Sequence, residues 1–427
     1  MAVDVGAVRE RVAALRAGLP APDVRVAREV VVVASSSRGG SSIFAEVLRR
    51  SRALLHFRAE VNPQLRLYGC EGGDDDALAP GHPVPPGLGT ALGADCGQPT
   101  DRLDDDEAIT TFAREIAARL VLQWPDLDVA APEVADDVRR VLAERWAAAW
   151  APGHFADASD FYVRLLARFA ARWPAFHPAA YDVDRERVAG TGPAGAYCPG
   201  RLVEEPPFVL PLPWRHPTEA ELRARPLVIK TPSNAYRLGW LRRLFPDARV
   251  RVLHLVRNPA ASINGLYDGW RFPGFHSHDV GGLAIQGYSD VVAGGDRWWK
   301  FDRPPGWRAL TSAPLERVCA AQWSGAHAAV LRDGDGDRHC LRFEDVVGAR
   351  HRQERAMGEL ADWLGLPVHD ELAAVLHRGL PAVMATHQPR HRRWFARAGL
   401  LEPVLALPEV QSVREALGYP EDRSAWE

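Results

Sequence analysis

Ser35-Ser-Ser-Arg38-Gly-Gly-Ser-Ser42 gathers small hydroxyl residues, two glycines and a guanidinium into one short stretch. Small residues let backbone N–H groups approach a ligand closely, and the arginine supplies positive charge. The flanks fit such a role. Val30 to Val33 is a β-branched apolar run suited to a buried strand. Ile43, Phe44, Val47 and Leu48 recur at helical spacing, so a helix begins near Ser41. Strand, small-residue loop and helix start make an anion-binding order, because unpaired N–H groups and the positive dipole end both face the loop. The alternative is an ordinary turn capped by serine. A Walker loop needs Lys immediately before Ser/Thr, and Gly40 occupies that place. Without the Lys-Ser/Thr pair that serves a Mg-bound triphosphate, the loop suits a metal-free phosphate or phosphosulfate.

Further charged residues follow strand-like runs. Leu227 to Ile229 predicts a strand ending at Lys230, with Ser233 or Asn234 capping the next helix. Arg251 to Val256 predicts a buried strand followed directly by Arg257-Asn-Pro, which opens another helix. A guanidinium fork beside a helix N-terminus recognises a dianion by bidentate hydrogen bonds. Ala53 to Phe57 reads as a short strand with Glu60 just beyond it. Arg390, Arg392 and Arg393 form a late basic cluster.

Taken together these blocks resemble the sulfotransferases that use 3′-phosphoadenosine 5′-phosphosulfate (PAPS). Arg38-Gly-Gly-Ser-Ser42 resembles the Arg-Ser-Gly-Thr-Thr phosphosulfate loop of the Golgi and tyrosylprotein branches, and bacterial members are also expected relatives. Ile229-Lys-Thr-Pro, then Phe245-Pro-Asp-Ala-Arg, then Leu255-Val-Arg-Asn-Pro resembles the central pattern of the family, and Arg342-Phe-Glu-Asp-Val resembles its Arg-Tyr-Glu-Asp-Leu block. The resemblance implies that Ser36, Ser37, Arg38, Gly39, Gly40, Ser41 and Ser42 hold the 5′-phosphosulfate and that Arg257 grips the 3′-phosphate. Gly265 stands where the family has a second 3′-phosphate ligand, a serine; Ser262 and Asn264 are nearby substitutes. Arg390, Arg392 and Arg393 sit where the family has a basic segment closing over the nucleotide. Lys230-Thr231-Pro232 replaces the Lys-Thr-His of the cytosolic branch, so the histidine base is absent. Glu60 lies at the spacing of the catalytic glutamate of tyrosylprotein sulfotransferases and is the expected base, with Arg38 and Lys230 neutralising charge on the leaving phosphate.

The elements that must position these groups imply an α/β fold: a P-loop-like parallel sheet with helices on both faces and a helical insertion. One sulfotransferase-like domain spans residues 1–427, its core being 28–68 and 225–400 and its cap 70–215. Residues 70–105 and 190–217 are rich in Gly and Pro and read as irregular. Between them, 108–124, 134–150 and 161–173 have helical periodicity. The acid runs Asp74–Asp76 and Asp104–Glu107 read as solvated charge. His276 and His278 read as pocket lining rather than metal ligands, and Asp333 to Asp337 as a turn.

Net charge of −3 argues against a nucleic-acid binder. The five cysteines lack Cys-x-x-Cys spacing, which suggests neither zinc nor a disulfide framework and points to a reduced, cytoplasmic compartment. Residues 1–19 read as an amphipathic helix, and no apolar run approaches the ~18 residues of a membrane span. The expected function is metal-free transfer of sulfonate from PAPS to a hydroxyl of a hydrophobic or phenolic small molecule, such as a bacterial secondary metabolite. A P-loop kinase and a non-catalytic nucleotide-binding module are the alternatives. Against the kinase, Arg257 follows the strand where a Walker-B acid belongs.

Overall fold

The computed structural model describes the chain apart from residues 1–2, 101–102, 104, 149–157, 184–186, 188–202, 205, 273–274, 276, 335, 381–382, 387–389, 391 and 427. Its strands are β1 (Glu29–Ala34), β2 (Leu55–Phe57), β3 (Cys96–Pro99), β4 (Trp214–Arg215), β5 (Leu227–Lys230), β6 (Arg249–Val256), β7 (Ser277–Asp279), β8 (Trp298–Lys300) and β9 (Arg338–Arg342). Seven of them form one sheet in the order β4-β3-β2-β5-β1-β6-β9, and β7 pairs with β8 apart from it. From β2 to β9 the neighbours run parallel. The strands β3 and β4 add an antiparallel edge.

The valines of β1 explain why it is central. Side chains alternate across a strand, and here both faces are covered. Val30 and Val32 join a core with Ile229, Trp240 and Leu244, whereas Val31 and Val33 join Phe44, Leu253 and Met357 on the other side. A continuous apolar run is what burial on both faces requires. Register aligns the strand ends: Val33 lies beside Lys230 and Leu253, and Ala34 beside His254. The segments after β1, β5 and β6 therefore leave from one edge, where open α/β sheets bind ligands.

The helix after β1 spans Ser41–Leu48, as its spacing predicts. The helices Asp106–Gln123, Ala131–Ala148 and Ala158–Arg172 match the periodicity of the insertion. They share a third core in which Phe112, Ile116, Phe161 and Phe169 pack with Val8 and Val12 of the N-terminal helix Val5–Leu15.

Three expectations need correction. Residues 70–105 are not wholly irregular: Leu88–Gly93 is helical, and Cys96–Pro99 extends the sheet. Trp214–Arg215 does the same within 190–217. Such short edge strands carry no alternation, and Gly97, packed against Trp214, gives none. The sheet is thus parallel except at its β3–β4 edge. Ser233 and Asn234 do not cap a helix through their side chains. Asn234–Tyr236 is a 3-10 turn ahead of the helix Leu238–Leu244. The Asn234 amide instead donates to Val33 O and Ile229 O, both at 3.3 Å. Finally, Asp74 and Asp76 are not free solvated charge. Asp76 pairs with Arg303 at 3.3 Å, accepts the Ser233 hydroxyl at 2.7 Å, and Asp74 pairs with Arg308. Acid runs read as solvated because sequence spacing does not show an arginine more than 200 positions away.

Candidate active site

The loop after β1 makes a tight turn into the next helix. Gly39 N–H donates to Ser36 O at 3.1 Å, which tightens the turn. Gly40 is the N-cap of the Ser41–Leu48 helix at φ 95°, and no side chain caps that end. A Cβ on Gly40 would run into the Phe343 ring, and one on Gly39 into Ser35. Both glycines are therefore required sterically. Arg38 itself adopts φ 62°, an uncommon region for a residue with a side chain and one that concentrates at functional sites.

Three elements converge on this loop. Lys230, at the end of β5, donates from Nζ to Ser42 Oγ at 3.0 Å and forms an ion pair with Glu60, just beyond β2. The Arg38 guanidinium lies over the Phe275 ring at 4.7 Å and donates to Met384 O at 2.8 Å. They share one open cleft. Ser35, Ser36, Ser37, Ser41 and Ser42 line it with Arg38, Glu60 and Lys230.

Arg257 stands behind the loop. Its guanidinium lies over Phe343 at 5.0 Å and donates to Arg38 O at 3.4 Å. Burial and the neighbouring cations Arg257 and Arg393 hold the Arg38 pKa down at about 10. Burial also depresses Arg257, with Glu344 opposing and Arg393 adding to it. Neither arginine makes an ion pair among the described residues. The hydroxyls of Ser35, Ser36 and Ser262 and Arg38 Nε are buried without hydrogen-bond partners there. Closely spaced cations with unsatisfied donors are costly until an anion arrives.

The other expected ligands divide. Ser262 is buried on the helix Pro259–Arg271, behind Arg257. Asn264 is engaged, its Oδ1 accepting from Arg397 at 2.7 Å. Gly265 faces the loop, and a Cβ there would sit 3.4 Å from Arg38 Cβ. Arg393 pairs with Asp268, which also holds Arg397 at 2.8 Å. Arg392 donates to Ser424 O at 3.0 Å, and Arg390 is exposed. Of the basic cluster, Arg393 is the member whose charge bears on both Arg38 and Arg257.

Sequence reasoning missed Arg397, Met384, Asp76 and Asp302. Spacing of four from Arg393 was a signal for Arg397; Asp302, after Trp298-Trp-Lys-Phe, had none. His56 and His254 are buried, and burial lowers His56 to about 3 and His254 well below the usual histidine range. His276 is outside the described residues. His278 lines the cleft and donates from Nε2 to Phe301 O at 3.1 Å. No group of potential metal ligands occurs among the described residues.

No protein-family model and no curated protein sequence matches the chain. Three solved sulfotransferases are similar to it in structure. The sulfotransferase domain of the curacin biosynthetic pathway is 13% identical with TM-score 0.39, covering 92% of this chain and 98% of that one. The domain from the Synechococcus PCC 7002 olefin synthase is 12% identical with TM-score 0.34, covering 94% and 98%. Sulfotransferase STF9 from Mycobacterium avium is 14% identical with TM-score 0.35, covering 94% and 81%. Among the described residues no helix is long and apolar enough to cross a membrane.

Proposed function

We propose that this cleft binds PAPS and transfers its sulfonate to a hydroxyl of a small-molecule acceptor. The observation that carries the reading is the pair Arg38 and Arg257, both short of anionic partners beside an uncapped helix N-terminus. One anion at the loop and a second behind it would satisfy both, which is the charge distribution of a 3′-phosphorylated nucleotide. The 5′-phosphosulfate lies on residues 36–42 and the 3′-phosphate at Arg257. Ser262 offers a free hydroxyl to the latter, and Arg393 adds charge.

In the reaction an acceptor oxygen attacks sulfur as the bond from sulfur to the bridging phosphate oxygen breaks. Arg38, Lys230 and the loop N–H groups meet the charge that collects on the leaving phosphate. The acceptor proton passes to a carboxylate in the cleft. Phe275, Phe301, Pro206 and Pro207 give the acceptor side apolar walls, in keeping with a hydrophobic or phenolic molecule. No step draws on a metal, because the charge stabilisation comes from side chains.

The test is calorimetry with adenosine 3′,5′-bisphosphate, followed by an acceptor screen with radiolabelled PAPS in excess chelator. Binding plus chelator-resistant transfer is expected. Activity restored by Mg alone and using ATP moves the protein to the kinases. Binding without transfer to any acceptor leaves a nucleotide-binding module.

A further inference from the structure

Three carboxyl groups line the cleft, Glu60, Asp76 and Asp302, and Asp76 is taken up by Arg303 and the Ser233 hydroxyl. They are held differently. Glu60 is joined to the Lys230 ammonium, which also touches the loop at Ser42. A carboxylate so engaged holds a cation in place. Asp302 is 3% exposed and makes no ion pair among the described residues. Its Oδ2 accepts the Tyr236 hydroxyl at 2.7 Å. Among the described residues its Oδ1 has no partner within hydrogen-bonding distance, although the Ser37 hydroxyl is close enough to favour the ionised form.

The backbone at this point is built to hold one position. Gln322 Nε2 donates to Lys300 O at 2.9 Å and to Asp302 O at 2.7 Å, and Trp299 Nε1 donates to Asp302 O at 3.1 Å. Trp270 Nε1 in turn fixes Gln322 Oε1 at 2.9 Å. Phe301 between them is forced to φ 62°, the strained left-handed region, where a bulky residue is an outlier. Strain of this kind persists where surrounding contacts over-determine it. Here they set a carboxyl between the phosphosulfate loop and the turn after β5, the turn where Pro232 replaces a histidine.

We propose that Asp302, through Oδ1, is the base that takes the acceptor's hydroxyl proton, and that Glu60 is a positioning residue for Lys230. This rests on the sulfonate-transfer reading above. As the acceptor oxygen bonds to sulfur, the electron pair of the breaking S–O bond stays on the phosphate oxygen. The released proton moves to Asp302 and leaves to solvent with the product. Burial pushes the Asp302 carboxyl up to about 6, so it is a stronger base than an ordinary aspartate and is still ionised at neutral pH. The groups facing it are Ser37, Tyr236, Asp76 and Cys319; Arg303, next in sequence, is taken up by Asp76.

The experiment compares wild type, Asp302→Asn and Glu60→Gln with 2-naphthol, largely un-ionised at pH 8, and 4-nitrophenol, largely ionised. Water serves as acceptor, read by nucleotide release from PAPS, if neither phenol reacts. Asp302→Asn should keep affinity for adenosine 3′,5′-bisphosphate and lose roughly 10²–10⁴-fold in kcat with 2-naphthol or water. With 4-nitrophenol, which needs no base, it should lose far less. Glu60→Gln should slow both phenols alike. Wild-type kcat should fall below pH 6, and Tyr236→Phe, which removes a hydrogen bond to the ionised form, should move that limb to higher pH. The phenylalanine variant also decides the matter if Asp302→Asn does not fold. Equal losses on both phenols for Asp302→Asn, or acceptor selectivity in Glu60→Gln instead, overturn the assignment. A wild type that binds no bisphosphate overturns the sulfonate-transfer reading first.

Discussion

On the proposed reading, replacing Arg257 separates the 3′-phosphate from the rest of the donor. Arg257→Met removes the guanidinium and keeps an apolar side chain over Phe343, which the arginine now covers at 5.0 Å. A hydrogen bond to a charged group contributes roughly 1.5–3 kcal/mol, and 1.4 kcal/mol is about tenfold in affinity. The expected loss for adenosine 3′,5′-bisphosphate is therefore about 10- to 150-fold. AMP, which lacks the 3′-phosphate, should change by no more than about threefold, since the loop contacts remain. Isothermal calorimetry with both ligands reads the difference. The apo protein supplies a second check. Arg257 makes no ion pair among the described residues and depresses Arg38 by repulsion. Its removal relieves like-charge crowding, so the unliganded variant should melt no lower than wild type. Equal weakening of both nucleotides, or a marked drop in apo stability, would refute the reasoning.

Lys230→Met should lower kcat by roughly 10²–10³-fold, the usual effect of losing one group aimed at developing charge, with the bisphosphate still bound. Unchanged kcat would remove Lys230 from the reaction. Gly40→Ala forces a Cβ into Phe343 at φ 95°, so it should cost about 1–3 kcal/mol of stability. In a Phe343→Ala background the same change should cost less stability than in wild type, and an equal cost in both backgrounds counts against the steric account. Asp95 is buried; burial raises its pKa, but Arg16, Arg119 and Arg58 outweigh this and lower it to about 2. A depressed carboxylate stabilises the fold above its unfolded pKa of 3.8 and loses that contribution as pH falls through about 2. Asp95→Asn should therefore abolish roughly 2 kcal/mol of the acid-dependent stability, read from denaturant midpoints across that window.

What the sequence revealed and what it hid divide along physical lines. The centre of the sheet was legible because Val30 to Val33 and Leu227 to Ile229 are apolar runs and Val252 to Val256 is one broken only by His254, and strands covered on both faces need that composition. The loop was legible because its chemistry is local: eight consecutive residues supply the glycines, hydroxyls and cation. The edge strands β3 and β4 were not, since two to four residues beside Gly97 and Pro99 carry neither periodicity nor β-branching. Long-range pairings were hidden for another reason. Nothing near Asp76 announces Arg303, and nothing near Asn264 announces Arg397. Glu60 was found through the spacing of a related motif, yet its engagement by Lys230 shows only once β5 lies beside β2.

The insertion also has a bearing on chemistry that its helices alone would not suggest. Arg58 lies two residues before Glu60 and pairs with Glu115 of the helix Asp106–Gln123 at 2.6 Å. Glu115 also holds Arg16 of the N-terminal segment at 3.0 Å, and Arg16 holds Asp95 at 2.5 Å just ahead of β3. These groups are nearly solvent-free, and a buried ion pair tolerates the loss of one partner poorly. The network therefore fixes the backbone leaving β2, and with it the place of Glu60 against Lys230. On the other flank Asp74 and Asp76, at the start of the insertion, tie it to Arg303 and Arg308, and Trp307 Nε1 donates to Asp74 O at 2.8 Å. That clamp secures the segment carrying Asp302. Glu60 and Asp302 are thus positioned from outside the central sheet, which supplies the loop after β1, while the added elements set these carboxyl groups in the cleft.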